Sequence, residues 1–159
     1  MQKETVTICY TEYAALSDLP DSDLLLVERA QQSAKDAYAP YSKFHVGAAV
    51  LLDDGTVVTG NNQENAAYPS GLCAERVAVF YALASHPKAE IAAIAIAALS
   101  DDSQLKTPPF PCGACRQVLA EYEYLQKKPI RLIFHAQSGK TIVMHGVDNL
   151  LPFPFVSGG

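Results

Sequence analysis

Three cysteines at the starts of two predicted helices constrain the fold more than any other feature of this sequence. Cys73 opens the first of these helices, and Cys112 and Cys115 lie in the first turn of the second. Cysteines three residues apart on a helix are neighbours, so the last two sulfurs can reach one ion, and Cys73 would supply a third. Zn²⁺ accepts thiolates in tetrahedral geometry, and three protein ligands leave its fourth position open. The sequence therefore predicts a zinc site where two helices begin.

Glu75 and Arg76 follow the first cysteine of this predicted site closely. First-turn side chains lean toward the helix N-terminus, so the Glu75 carboxyl can approach water at the open position while Cys73 holds the ion. Three thiolates on a dication leave a net negative charge. The partial positive charges of two helix N-termini, together with hydrogen bonds from Arg76 to sulfur, would offset it. Arg116 is a second candidate for this tuning role.

A closed structural zinc site with a remote fourth ligand is the alternative. The candidate ligands are His45, His86, His135 and His145. None of them has ligand spacing to the cysteines, so we assign none of them to the metal. We expect Cys9, the remaining cysteine, to be an ordinary strand residue.

Charge and hydropathy limit the kind of partner this chain can have. The 159 residues include 12 Lys and Arg against 17 Asp and Glu, a net charge of −5. This balance argues against a nucleic acid or an anionic membrane surface as the main partner. The longest apolar run, residues 91–99, is about half of a bilayer span. No secretory signal is recognisable, so we expect a cytoplasmic protein with reduced thiols and a small soluble partner.

Apolar spacing and turn residues predict the element order α, β, β, α, β, α, β, β. The predicted helices are 24–38, 73–84 and 113–125, and the predicted strands are 46–52, 56–59, 91–99, 130–134 and 141–145. This alternation favours a three-layer α/β/α domain with a mixed sheet of about five strands. Residues 24–159 would form that domain, and residues 1–23 a leader in which 5–10 could make a short strand.

The second predicted helix carries eight consecutive apolar residues, 77–84, and so has no polar face for water. A sheet on one side and a neighbouring subunit on the other would cover it. We therefore expect an oligomer.

Five motifs between about residues 24 and 155 carry a family resemblance. They are Tyr38-Ala-Pro-Tyr-Ser-Lys-Phe-His-Val-Gly-Ala-Ala, Asn62-Gln-Glu-Asn65, Cys73-Ala-Glu-Arg, Pro111-Cys-Gly-Ala-Cys-Arg-Gln and Leu150-Leu-Pro-Phe-Pro-Phe155. The two cysteine motifs match the zinc deaminase signature, in which a glutamate is not a ligand. The whole set resembles cytidine deaminase, in its short-chain, homotetrameric branch with three cysteines.

That resemblance implies hydrolytic deamination of cytidine and deoxycytidine in pyrimidine salvage. Cys73, Cys112 and Cys115 would bind zinc, and hydroxide held by the ion would attack C4 of the base. Glu75 would carry a proton from the zinc-held water to the ring and then to departing ammonia. The backbone amide of Ala74 would meet the base.

The resemblance also implies the remaining substrate contacts. Asn62 and Glu64 would bind the ribose hydroxyls, and Phe44 would pack on the nucleoside. Tyr68 and Phe155 match residues that family members place in or near a neighbour's pocket, so the sites of a homotetramer would be shared.

The sequence departs from the family at its edges and leaves other functions to weigh. The leader is longer than the family needs, the loop 101–109 is somewhat extended, and a Val-Ser-Gly-Gly tail closes the chain. A blasticidin-type deaminase would share the zinc motifs but not the ribose element at 62–65. A polynucleotide deaminase would need a basic stripe or an aromatic platform, and neither is recognisable here. A non-catalytic, zinc-stabilised oligomerisation module would have no need of Glu75.

Overall fold

A six-stranded sheet with three helices organises the chain, in a computed structural model that describes residues 1–100 and 105–157. The start of the predicted extended loop, 101–104, and the end of the predicted tail, 158–159, lie outside the described residues. The strands are β1 (Thr11–Tyr13), β2 (Phe44–Leu52), β3 (Val57–Asn61), β4 (Ile91–Ser100), β5 (Arg131–His135) and β6 (Thr141–His145). The helices are α1 (Asp21–Ala34), α2 (Ala74–Ser85) and α3 (Gly113–Gln126).

The sheet is mixed, as the sequence predicts, and its strand order is β1-β6-β5-β4-β2-β3. β4 lies at the centre, where it pairs in parallel with β5 and antiparallel with β2. Parallel pairing on one side of β4 requires a crossover, and α3 supplies it.

Helices cover both faces of the sheet, which confirms the predicted α/β architecture. α1 packs against one face, over side chains that include Ala49, Ala95 and Ile133. α2 and α3 cover the opposite face, over side chains that include Val50 and Leu132. Consecutive residues of a strand point to opposite faces, so the apolar central strands serve both layers at once.

The leader supplies a sixth strand, one more than predicted and at a different place. The predicted strand at 5–10 is wrong, because those residues have no regular structure and β1 begins at Thr11. β1 is antiparallel to β6, and Thr11 lies opposite Val143. Continuing that register places residue 9 opposite His145, the last residue of β6. The residues before it run past the end of their only neighbouring strand.

The ends of the first helix also differ from the prediction of 24–38. Asp21 is the first helical residue, three positions earlier than predicted, and Pro20 takes the position before the helix. The helix ends at Ala34, and the Tyr38 N–H instead donates to the carbonyl of Asn62, 3.0 Å away. The predicted boundary between leader and domain at residue 23 falls inside α1, and that division stays a prediction.

α2 is not covered on all sides within one chain. Ala78, Val79 and Ala82 are buried against the sheet, whereas Phe80 is 41% and Tyr81 62% exposed.

Among the described residues, no helix has the length and apolar character to cross a membrane.

Gly60 of β3 sets how closely α2 approaches the sheet. A Cβ atom at this position would lie 2.5 Å from the backbone nitrogen of Ala78 and 3.0 Å from the carbonyl oxygen of Ala74. Both neighbours are helix backbone, which cannot move aside as a flexible side chain can. Because glycine has no side chain, α2 can lie close to the hairpin β2–β3 at this position.

We predict that Gly60→Ala lowers the free energy of unfolding by about 1–3 kcal/mol, because α2 must shift outward to admit the methyl group. Denaturant titration at fixed protein concentration measures this. Gly113→Ala is the matched control, since a Cβ atom there meets nothing within 4 Å. Equal stability of the Gly60 variant and the wild type would contradict the close-approach argument.

Candidate metal centre and active site

The starts of α2 and α3 meet at a cluster of three sulfur atoms. Cys73 and Cys112 each occupy the position before the first helical residue, and both have extended backbone dihedrals. Cys115 lies in the first turn of α3 and is buried. The structure thus brings the three cysteines predicted from their spacing into one place.

The geometry of this cluster fits a tetrahedral zinc ion. The Sγ atoms of Cys73 and Cys112 are 3.8 Å apart, those of Cys112 and Cys115 are 3.5 Å apart, and all three lie within 4.8 Å of one another. Zinc–sulfur bonds of about 2.3 Å in a tetrahedron separate the sulfurs by about 3.8 Å. The four cysteines are free thiols.

The three thiols are arranged so that one of them ionises most easily. A hydrogen bond from the Cys115 thiol, aided by the Arg76 guanidinium, lowers the pKa of Cys73 to about 5. The same contact raises the pKa of Cys115, the partner that keeps its proton. A thiolate is the form that binds metal, so the cluster already holds one ligand in that form at neutral pH.

Glu75 places a carboxyl group beside the sulfurs. Its side chain is 6% exposed, and burial raises its pKa above the ordinary value for a glutamate. The negative charge of Cys73 raises it further, while a hydrogen bond with the Cys115 thiol acts in the opposite direction. A carboxyl whose pKa is raised toward neutrality can both give and take a proton there.

The two predicted tuning arginines have different partners. Arg76 donates from Nη2 to the Cys73 sulfur at 3.7 Å, as the sequence predicts. Its Nε is buried, and no hydrogen-bond partner for it exists within the part of the chain that the structure describes. Arg116 donates instead to the carbonyl oxygens of Pro111 and Leu150, at 2.9 and 3.0 Å. It therefore fixes the loop before α3 against the C-terminal segment.

A cavity of about 650 Å³ opens beside the thiol cluster. This volume lies within the range of small-molecule sites. Most of the residues that we predicted for the site line this cavity: Phe44, Asn62, Glu64, Tyr68, Cys73, Ala74, Glu75, Arg76 and Cys112. The buried Cys115, the second tuning candidate Arg116 and the C-terminal Phe155 do not line it.

The two polar residues predicted to bind the ribose are held by the loop and the strand next to them. Asn62 accepts a hydrogen bond from the Val46 N–H at 2.8 Å and donates to the Phe44 carbonyl at 2.9 Å. A side-chain amide retains a second N–H and a second lone pair for a ligand. Glu64 accepts from the Tyr41 N–H at 3.0 Å, and its contacts with Ser42 and Tyr41 lower its pKa. Both side chains are therefore oriented, and Glu64 is ionised.

The predicted aromatic contacts differ in their surroundings. Phe44 is half-buried in the cavity wall. Tyr68, in a short 3₁₀ helix at the cavity mouth, is 84% exposed, and Phe155 is 77% exposed. Neither of the two exposed rings is enclosed by its own chain.

Phe110 also lines the cavity, although its sequence position alone predicts no role for it. Its ring is fixed by a tilted contact with Phe134, with ring centroids 5.0 Å apart. Phe110 immediately precedes the motif that begins at Pro111, and this position next to the metal ligands was the signal available in the sequence.

A buried carboxyl beside an open three-thiolate cluster is the arrangement of a hydrolytic zinc site, in which protein groups leave room for water.

Comparison with known families makes this more specific. The family described as "Cytidine and deoxycytidylate deaminase zinc-binding region" matches residues 20–128. A cytidine deaminase of Halalkalibacterium halodurans is 48% identical over 97 residues, which are 61% of this chain and 69% of that protein. One from Mycobacterium tuberculosis is 45% identical over 117 residues, 71% of this chain and 84% of that protein.

Solved structures agree with these sequence relatives. The crystal structure of cytidine deaminase from Burkholderia pseudomallei has a TM-score of 0.72 at 40% identity, and the match covers 82% of this chain and 97% of that one. The structure from Mycobacterium tuberculosis has a TM-score of 0.65 at 38% identity, covering 86% and 98%. The chain belongs to the cytidine and deoxycytidylate deaminase family. It is a zinc-dependent hydrolase, and the sulfur cluster fits the metal that the family uses.

We predict that Cys112→Ser loses most of its bound zinc, because serine does not replace a thiolate as a zinc ligand at neutral pH. Metal analysis of purified protein measures zinc per chain. Cys9→Ser is the matched control, since Cys9 is exposed and lies outside the cluster. Full zinc content in the Cys112 variant would rule out this cysteine as a ligand.

Proposed function

We propose that this chain deaminates cytidine and deoxycytidine hydrolytically, giving uridine or deoxyuridine and ammonia. The observation that carries the proposal is the buried Glu75 carboxyl, which lines the same cavity as the thiol cluster. A site that only stabilised the fold would gain nothing from a carboxyl in this position. A proton carrier in a cavity of nucleoside size is what the reaction requires.

Glu75 moves the protons in this proposal. Cys73, Cys112 and Cys115 would hold zinc, which when bound supplies Lewis-acid activation of water. Glu75 takes one proton from the attacking water and delivers it to a ring nitrogen. It then takes the second proton from the hydroxyl group added at C4 and gives it to the departing amino group, which leaves as ammonia. The raised pKa of its buried carboxyl supports both directions of transfer. Arg76, through its contact with Cys73, withdraws electron density from the sulfur.

The nucleoside is held at the other side of the cavity. Asn62 and Glu64, oriented by their backbone contacts, bind the sugar hydroxyls through the donor and acceptors that remain to them. Phe44 packs against the nucleoside, and the Ala74 amide at the start of α2 contacts the base. Deoxycytidine keeps the 3′- and 5′-hydroxyls, so it retains part of this recognition.

The ribose element at 62–65 favours a nucleoside over a blasticidin-type substrate, and the family assignment argues against a non-catalytic module. We infer a role in pyrimidine salvage in the cytoplasm, with residues 24–159 forming the deaminase unit and 1–23 an accessory leader.

We predict that Glu75→Gln lowers kcat about 10²–10⁴-fold with zinc retained, because the amide cannot carry a proton. Ultraviolet monitoring of cytidine conversion to uridine, with metal analysis in parallel, measures both quantities. Wild-type protein loaded with zinc that converts no cytidine would end the proposal.

Glu64→Gln is the matched comparison, since it makes the same chemical change in the same cavity. Its amide oxygen can still accept from Tyr41, so the loop stays in place. Loss of a charged hydrogen bond to the sugar should raise KM about tenfold while kcat stays near its wild-type value. A loss of kcat in this variant as large as that of Glu75→Gln would contradict the separate roles.

We also propose that the protein is a homotetramer with shared active sites. Val77, Phe80, Tyr81 and Ala84 recur at the spacing of one helix face, and they lie on the side of α2 away from the sheet. An exposed apolar stripe of this kind is typical of a subunit interface. Exposed Tyr68 and Phe155 are available to contact a neighbouring copy.

We predict that Phe80→Glu reduces the mass measured by light scattering from about four times 17.1 kDa, because burying a carboxylate at the interface is unfavourable. Cytidine turnover should fall with the mass, since the sites would be shared. Tyr124→Glu, on the exposed side of α3, is the control. An unchanged mass in the Phe80 variant would show that the stripe is not the interface.

A further inference from the structure

Gln117 makes a two-bond clamp on the main chain of Phe155. The Phe155 N–H donates to Oε1 of Gln117 at 3.0 Å, and Nε2 of Gln117 donates to the Phe155 carbonyl at 2.6 Å. The side-chain amide thus pairs with one residue through both its donor and its acceptor. The contact joins residues 38 positions apart in the chain.

A second glutamine of α3, Gln126, makes the same pair of hydrogen bonds to a different residue, and this pair serves a different purpose. Gln126 accepts from the Ile91 N–H at 2.9 Å and donates to the Ile91 carbonyl at 2.9 Å. Ile91 is 1% exposed and opens the central strand β4. This second clamp fastens a buried strand to its helix, and its purpose is the stability of the fold.

The Gln117 clamp holds a residue that the fold of one chain does not bury. Phe155 is 77% exposed, and Phe153 in the same segment is 85% exposed. Ordering an exposed segment costs conformational entropy that burial does not offset here. Arg116, bonded to the Leu150 carbonyl, restrains the same segment nearer its start. Two consecutive residues of α3 therefore hold the C-terminal segment in one path over the helix.

Helix α3 also carries the metal ligand Cys115, two residues before Gln117. The orientation of this helix consequently determines where the thiol cluster lies and where Phe155 is presented. An aromatic ring that is already held in its binding position loses less conformational entropy when it contacts a ligand.

From this arrangement we propose that Gln117 is a positioning residue that presents Phe155 to the nucleoside in a neighbouring copy of the chain. The inference rests on the proposed function and adds to it the residue that sets the position of the shared aromatic contact. Gln117 does not line the cavity of its own chain, and it acts only through the main chain of Phe155.

The test compares Gln117→Met with Gln126→Met. Methionine keeps the length of the side chain and removes both hydrogen bonds. In Gln117→Met we expect KM for cytidine to rise about tenfold and kcat to stay within about twofold, with zinc content unchanged. Amide hydrogen exchange of the C-terminal peptide should become faster, because the Phe155 N–H loses its acceptor. In Gln126→Met we expect lower stability but wild-type KM and C-terminal exchange.

Gln117→Glu provides a second variant that retains the acceptor for the Phe155 N–H and loses the donor to its carbonyl. Its KM should rise with kcat preserved, and it keeps the test available if Gln117→Met does not fold. An unchanged KM in a variant whose C-terminal exchange is faster would overturn the proposal. Equal losses of kcat and zinc in the Gln117 and Gln126 variants would overturn it as well, because both glutamines would then be merely structural.

The two proposals can fail separately. If the wild-type protein converts no cytidine, the proposed function fails. The hydrogen-exchange measurement then tests only whether Gln117 holds the C-terminal segment in place. If the wild type is active and Gln117→Met has normal KM and normal exchange, the clamp fails while the deaminase activity stands.

Discussion

The meeting of two helix N-termini at one group of sulfur atoms is the constraint on which the rest of the structure depends. Three thiolates holding a dication would carry a net negative charge, and that charge needs positive partial charges close by. Helices α2 and α3 provide them from their first turns, and Arg76 adds a full charge at the Cys73 sulfur. Both helices pack on the same face of the sheet, and this face determines where their ends can meet. Gly60 allows α2 to approach closely enough for this meeting.

The same arrangement explains why Glu75 behaves differently from Glu64. Both carboxyls line one cavity, but the first is buried beside anionic sulfur and the second receives hydrogen bonds from a polar loop. Burial raises one pKa, and hydrogen bonding lowers the other. One fold therefore gives two glutamates separate tasks, proton transfer and sugar binding in the function proposed above.

Much of this architecture could be predicted from local pattern. The two cysteine motifs predict the thiol cluster because their spacing and their place at helix starts leave few other geometries, and alternating apolar residues predict the order of helices and strands. What could not be predicted depends on contacts between distant segments. The end of α1 depends on Tyr38 bonding to Asn62, and β1 depends on its register with β6. Phe110 and Gln117 belong to the same class, since each gains its role from a residue far along the chain.

The edge pairing of β1 with β6 has a consequence for how the chain is assembled. In the described structure the first strand along the chain is bonded to the last one, and the six-stranded sheet is complete only when both are present. During synthesis, β1 cannot pair with β6 at the edge of the sheet until β6 has left the ribosome. Closing so long a loop is slow compared with forming the hairpin β2–β3. The metal ligands precede β6 in sequence, so all three are available to bind an ion before the leader reaches its final place.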